Sequence, residues 1–182
     1  KRLAELMKGE GQAVMLRYME GSASTDQREK GFLEGLKEYG PNIELLSDNQ
    51  YAGATAESAL KASQNLLNRF EKIDGIFCPN ESSTFGMLRA LQIAKLAGKI
   101  PFVGFDSSEA LIKGMQDREL NGAALQDPFK MGYLGVVTAV EALKGVKVEK
   151  HIDTGVVLVL PESLEQPEIK ALLNPELDKW LK

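Results

Sequence analysis

Six short apolar runs, each followed by a turn and a stretch long enough for a helix, leave this chain few folds to choose from. The runs are residues 13–18, 43–46, 75–78, 100–105, 122–126 and 156–160. Alternation at this spacing reads as successive βα units. Their crossovers are right-handed and build a mostly parallel sheet. The runs are almost continuously apolar, as strands are when both faces of a sheet are covered. The expected fold class is therefore α/β, a doubly wound, mostly parallel sheet with helices on both faces.

Between the runs the helix signals are local. Ser24-Thr25-Asp26-Gln27 has the Ser-x-x-Gln form of a capping box, and its helix carries Phe32, Leu33 and Leu36 before Gly40-Pro41 stops it. Thr55 can cap a helix that turns Ala59, Leu60, Ser63, Leu67 and Phe70 inward. Pro79 ends the third run; the next helix packs Met87, Leu88, Leu91 and Ala94 and closes at Gly98. Leu111, Ile112 and Met115 mark a further helix, and Pro128 suits the first turn of one carrying Met131, Leu134, Val137 and Leu143. From Ser163 a leucine-rich stretch punctuated by Pro167 and Pro175 and ending in Trp180 reads as one or two short surface helices. At the other end, residues 1–8 have helical spacing without a cap, an initiator Met or a signal peptide, so the chain is expected to be a piece of a longer polypeptide.

In an open parallel sheet, ligands bind beyond the carboxyl ends of the strands. The residues there are Arg28 in the helix after the first run, Tyr51 after the second, Asn80 after the third, Phe105-Asp106 at the fourth and Gln126-Asp127 at the fifth. Arg, Asn, Asp and Gln each present paired donors or acceptors, which suits vicinal hydroxyls, and Tyr51 and Phe105 can cover apolar C–H faces. Each residue also has a plainer reading. Asp106 can cap the next helix, Asn80 can be turn chemistry beside Pro79, and the two aromatics can be core. It is their convergence on one sheet edge that points to a ligand.

Other chemistries lack their parts. One His and one Cys leave metal and triad chemistry short of groups, and Cys78 in an apolar strand reads as a buried small hydrophobe. No glycine-rich phosphate loop follows a strand, since Gly9-Glu10-Gly11 precedes the first one. With 22 Lys and Arg against 26 Asp and Glu, the net charge of -4 and the lack of a basic stripe argue against nucleic acid. No catalytic residue, metal or cofactor is expected.

Four motifs carry a family resemblance. Arg28-Glu29-Lys30-Gly31-Phe32, Gly75-Ile76-Phe77-Cys78-Pro79-Asn80-Glu81, Val103-Gly104-Phe105-Asp106 and Gln126-Asp127-Pro128 stand in an order and spacing that resembles the C-terminal part of periplasmic sugar-binding proteins of the ribose-binding type. Gly86 and the closing run 156–160 also fit, so the likeness covers essentially the whole chain. Glu81 departs from the pattern, where Asp is commoner.

The resemblance implies a periplasmic-binding-protein-like fold of two lobes joined by crossing strands, with a sugar held in the cleft and trapped by hinge closure. On that pattern residues 1–126 and 156–182 form one lobe, and residues 127–155 a hinge and a segment of a second, N-terminal lobe that this chain lacks. The implied contacts are Arg28 to ring or hydroxyl oxygens, Asn80 and Asp106 to hydroxyls, Gln126 from a hinge strand, and Phe105 and Tyr51 as aromatic cover. The implied partners are a monosaccharide or polyol and the membrane permease of an ABC importer. The implied location is periplasmic or extracellular, with a lipid anchor compatible. Exposed Met131, Leu134 and Val137 would promote self-association of this chain. The alternative is the effector-binding domain of a lactose-repressor-family transcription regulator, which shares the fold. An α/β enzyme is a third reading, weakened by the missing nucleophile and metal ligands.

Overall fold

The computed structural model describes residues 1–179, so Trp180, at the end of the expected tail, lies outside the described residues. The elements run α1 (Arg2–Leu6), β1 (Glu10–Arg17), α2 (Ala23–Tyr39), β2 (Asn42–Tyr51), α3 (Ala56–Arg69), β3 (Gly75–Phe77) and α4 (Glu81–Ile93). They continue with β4 (Phe102–Phe105), α5 (Glu109–Gln116), β5 (Ala123–Leu125), α6 (Pro128–Leu143), β6 (Val157–Val159) and α7 (Pro167–Leu173). The strands form one sheet in the order β2-β1-β3-β4-β5-β6. The first five are parallel and β6 returns antiparallel against β5.

Successive side chains on a strand point to opposite faces, and here both faces are covered. Ala13 and Met15 join Leu3, Met7, Leu36 and Phe77 in a core beneath α1 and α2. Val14 and Leu16 join Ile76, Phe102, Met87, Leu91, Leu111 and Met115 in a larger core beneath α3, α4 and α5. Ile169 of α7 closes the second core from the tail. No described helix is long and apolar enough to cross a membrane.

Several local expectations are corrected. The Ser24-x-x-Gln27 box does not form. The N-cap of α2 is Ser22, without a side-chain bond, and the Thr25 hydroxyl donates to the Ser22 carbonyl instead. The Thr55 cap does form, reciprocally with Ser58. Its helix buries Ala59, Ala62, Ser63 and Leu66, leaving Leu60 and Leu67 half-buried, because spacings of three and four share a face. The second strand is ten residues long rather than four. As the sheet edge it tolerates the polar stretch that hid it, with Asp48 and Asn49 exposed, Gln50 half-buried and Ser47 buried. Helix α4 ends at Ile93, not near Gly98; Ala94 is exposed and Lys95 takes a left-handed conformation.

Helices α3 and α4 meet at Gly86. A Cβ there would lie 2.5 Å from the Ala59 Cβ and 2.7 Å from the Leu60 backbone nitrogen. Gly86→Ala is expected to cost about 1–3 kcal/mol by overpacking despite alanine's better helix propensity. Urea unfolding measures it, and an unchanged midpoint would mean that the two helices are not this close.

Helix α6 is the exception to the packing. It starts as expected, with Pro128 in its first turn and the Asp127 carboxylate accepting from the Lys130 N–H, yet none of its residues is buried. The exposed face differs from the expected one. Leu134 and Val137 are half-buried, and Leu134 lines a hollow with Val148 and Ile152. Met131 lines the same hollow and is exposed as expected, while Tyr133, Val136, Val140 and Leu143 face outward, Leu143 at 88% exposure.

Candidate functional site

Because β1 to β5 are parallel, their carboxyl ends fall on one edge of the sheet, and the polar residues that follow them gather there. Arg28 organises this edge. It is the sixth residue of α2, in the second turn, so its charge sits away from the unfavourable helix start. Phe32, four residues on and on the same helix face, stacks on Phe77 of β3 with ring centroids 4.2 Å apart. That contact docks α2 so that Arg28 leans over the strand ends.

One side chain then touches three strands. Arg28 Nη1 donates to the Pro79 carbonyl at 2.9 Å and to Asp106 Oδ2 at 3.3 Å. Its Nη2 donates to Gln126 Oε1 at 2.8 Å. The guanidinium lies 3.8 Å from the centroid of the Phe105 ring. These contacts use three of the five N–H groups of a guanidinium, leaving Nε–H and one Nη2–H for a ligand. The same stacking changes what Phe105 offers. The ring is 9% exposed and the cation covers one of its faces, so it supports Arg28 before it can support a ligand.

Asp106 is not the helix cap of its plainer reading, whereas the Asn80 side chain bonds only to its near neighbours Ser82 and Ser83, in keeping with its plainer, local reading. The N-cap of α5 is Ser108, not Asp106. Asp106 instead takes a left-handed backbone (φ 64), which Asp tolerates better than most residues, and turns its carboxylate toward β3. Oδ2 accepts both from Arg28 and from the Glu81 N–H at 3.2 Å, at the positive end of α4. Oδ1 meets no protein donor among the described residues. Asn80 occupies the N-cap of α4 but makes no side-chain cap bond. Its Oδ1 accepts from Ser83 Oγ at 2.6 Å and its Nδ2 donates to Ser82 Oγ at 3.1 Å, which fixes the amide orientation.

Thr84, fully buried, joins the two strand ends. Its hydroxyl donates to the Asn80 carbonyl at 2.7 Å and accepts the Phe105 N–H at 3.2 Å, so it takes up the last amide of β4, beyond the end of β3 at Phe77. Cys78, beside this junction, is fully buried. Desolvation pushes its thiol well above the ordinary value against an opposing Ser83 hydrogen bond, which suits a small core residue and not a nucleophile.

Tyr51 stands apart from the Arg28 group. It closes β2, and its ring centroid lies 4.9 Å from the Arg17 guanidinium. Arg17 Nε donates to Glu29 Oε2 at 2.6 Å and Nη2 approaches Asp26 at 3.5 Å. Burial works to lower the Arg17 pKa, but the Glu29 bond and charge, with Tyr51 and Asp26, hold it above its ordinary value. Both arginines on this edge are thus paired with carboxylates.

Arg17, Glu29, Ser83 and Thr84 were not singled out from the sequence. Arg17 left a signal, a charge closing an apolar run. Glu29 left none, because an acidic residue on a helix is ordinarily solvated. Ser82-Ser83-Thr84 at a helix start reads as capping chemistry. His151 is exposed. Among the described residues no three His, Cys, Asp or Glu side chains cluster as metal ligands. The edge therefore offers fixed hydrogen-bonding forks and acceptors, which suits recognition of hydroxyl groups.

The family model described as periplasmic binding protein domain matches residues 1–147. The ribose import binding protein RbsB of Haemophilus influenzae is 30% identical over 150 residues, covering 82% of this chain and 50% of that protein. A carbohydrate transporter solute binding protein from Agrobacterium radiobacter, solved in complex with D-arabinose, superposes with a TM-score of 0.89 at 34% identity, over 95% of this chain and 60% of that one. A solute binding protein of an ABC transporter from Agrobacterium vitis, with bound D-fucose, gives a TM-score of 0.89 at 31% identity over 94% of this chain and 59% of that one. The chain thus spans about half the length of the curated relatives it matches.

Proposed function

Because this chain belongs to the periplasmic binding protein domain family, we propose that it forms the main part of one lobe of a solute receptor, binding a monosaccharide or polyol in an interlobe cleft without converting it. The observation that carries this reading is Arg28, whose single guanidinium reaches the ends of β3, β4 and β5 at once. In the proposal Arg28, Asn80, Asp106 and Gln126 hold ring and hydroxyl oxygens, and Phe105 and Tyr51 supply aromatic cover. Hydrogen-bond forks of this kind bind a sugar tightly only when water is shut out, so the affinity of the receptor depends on a second wall closing over the edge.

The division of the chain follows the same reading. Residues 1–126 and 156–182 are proposed as the ligand-binding lobe. Residues 127–155 are proposed as a hinge and a segment of the other lobe, which fits a helix α6 with no buried residue. The receptor is proposed to act outside the cytoplasmic membrane and to deliver its ligand to the permease of an ABC importer. The similar proteins named above are transport receptors, which favours this reading over the effector domain of a regulator.

Titration of the chain with D-ribose, D-arabinose, a hexose and inositol, followed by ¹⁵N NMR, tests the proposal. Saturable shifts at Arg28, Asn80 and Gln126 are expected, weaker than micromolar because one wall carries all the contacts, with the sugar recovered unchanged. Flat spectra with every compound would overturn it, and so would chemical change in the sugar.

A further inference from the structure

Glu29 follows Arg28 on α2, yet it points inward and is only 2% exposed. Burying a carboxylate is unfavourable unless its oxygens are bonded and its charge is matched. Both conditions are met. Oε1 accepts the Tyr18 N–H at 3.2 Å and Oε2 accepts Arg17 Nε at 2.6 Å. A buried ion pair is seldom a better source of stability than an apolar pair, so its location says more than its existence.

The location is the β2 side of the ligand edge. Arg17, 27% exposed along its side chain, is held with its guanidinium 4.9 Å from the Tyr51 ring centroid. The Ala52 N–H donates to the Arg17 carbonyl at 2.8 Å and the Gly53 N–H to the Tyr18 carbonyl at 2.9 Å, so the end of β2 is tied to the same two residues. Asp26, the other acid beside Arg17, is 3.5 Å away and 46% exposed, which makes it the weaker counter-charge. The helical turn that aims Arg28 at β3, β4 and β5 therefore also reaches Tyr51, through Glu29 and Arg17.

Resting on the receptor reading above, we propose that Glu29 is a positioning and charge-selecting residue: it holds Arg17 against Tyr51 as a neutralised guanidinium, so this side of the site offers an aromatic face without net positive charge. Without the Glu29 charge, Arg17 keeps only an exposed counter-ion and becomes a guanidinium able to take a phosphate or carboxylate in fork geometry. Glu29 then excludes acidic and phosphorylated sugars from an edge that carries two arginines.

The test compares the chain with its Glu29→Gln variant by NMR, titrating each with D-ribose and with D-ribose 5-phosphate at one ionic strength. Glu29→Gln is expected to shift the ratio of the two dissociation constants toward the phosphate by tenfold or more. It should also displace the Tyr51 ring resonances and remove the slowly exchanging Arg17 Nε–H signal. Equal weakening of both ligands, or unmoved Tyr51 resonances, would overturn the proposal. If the unsubstituted chain binds neither compound, the receptor reading fails on its own, and the positioning role is still decided by the Tyr51 and Arg17 signals. Should Glu29→Gln not fold, Arg17→Lys replaces it. Lysine leaves a charge matched by Glu29 but lacks the planar fork, so Tyr51 should move while the phosphate gains nothing. A still Tyr51 ring or a gain for the phosphate in that variant would equally refute it.

Discussion

Arg28→Ala is expected to abolish most of the proposed sugar affinity while leaving the chain folded. The substitution removes charge-assisted donors at the ends of three strands and uncovers the Phe105 ring. In a closed cleft that shuts out water, truncating one member of a hydrogen-bonded charge pair costs about 2–5 kcal/mol of binding, which is roughly one and a half to three and a half decades in Kd. At the open, part-buried edge of this chain the loss is smaller. The folded state suffers less, because Asp106 and Gln126 lie at a water-facing edge and can be rehydrated. Arg28→Lys separates charge from geometry. An ammonium keeps the charge but cannot bridge Pro79, Asp106 and Gln126 together, so it should recover only a minor part of the loss. Titration by calorimetry or NMR, with thermal unfolding as the control, reads both variants. An unchanged Kd in Arg28→Ala would remove Arg28 from the site.

Phe102→Ala acts on the scaffold instead. Phe102, the first residue of β4, is fully buried in the core beneath α4 and α5. Its backbone is held independently of the ring, since the Phe102 N–H donates to Asn121 Oδ1 at 2.8 Å and its carbonyl accepts the Asn121 N–H at 2.8 Å. The strand therefore cannot collapse into the space the ring leaves, and the full penalty of a cavity applies. A buried Phe→Ala change costs about 3–5 kcal/mol, a large share of the roughly 5–15 kcal/mol that hold a typical domain together. For a chain of this size the melting temperature should fall by about 6–20 °C. A loss under about 1 kcal/mol would mean that this core is not packed around the ring.

The polar edge of the candidate site was legible in the sequence for a topological reason. Once strands alternate with helices, the sheet is parallel, and every residue that follows a strand is delivered to the same side. Arg28, Asn80, Asp106 and Gln126 could be gathered without knowing a single distance. The second strand was legible only in part. Ile43 to Leu46 announce it, but Asp48 to Gln50 are tolerated because an edge strand is solvated on one side, and that position depends on the order of all the strands. The α2 cap shows the opposite failure, a motif whose pattern is present and whose bonds are not.

Periodicity and end residues, both local properties of the chain, therefore determined the α/β class, the strand–helix order and the identity of most edge residues. Only the tertiary structure decided how these residues use one another. It gave Arg28 three strands to bind and a ring to cover, and it separated Tyr51 from that group. It also took Glu29, an ordinary acidic residue on a helix, and buried it against Arg17. Each of these depends on where one helix is docked against strands far away in sequence. Packing of Phe32 on Phe77 sets that docking, and no local pattern in the chain encodes it.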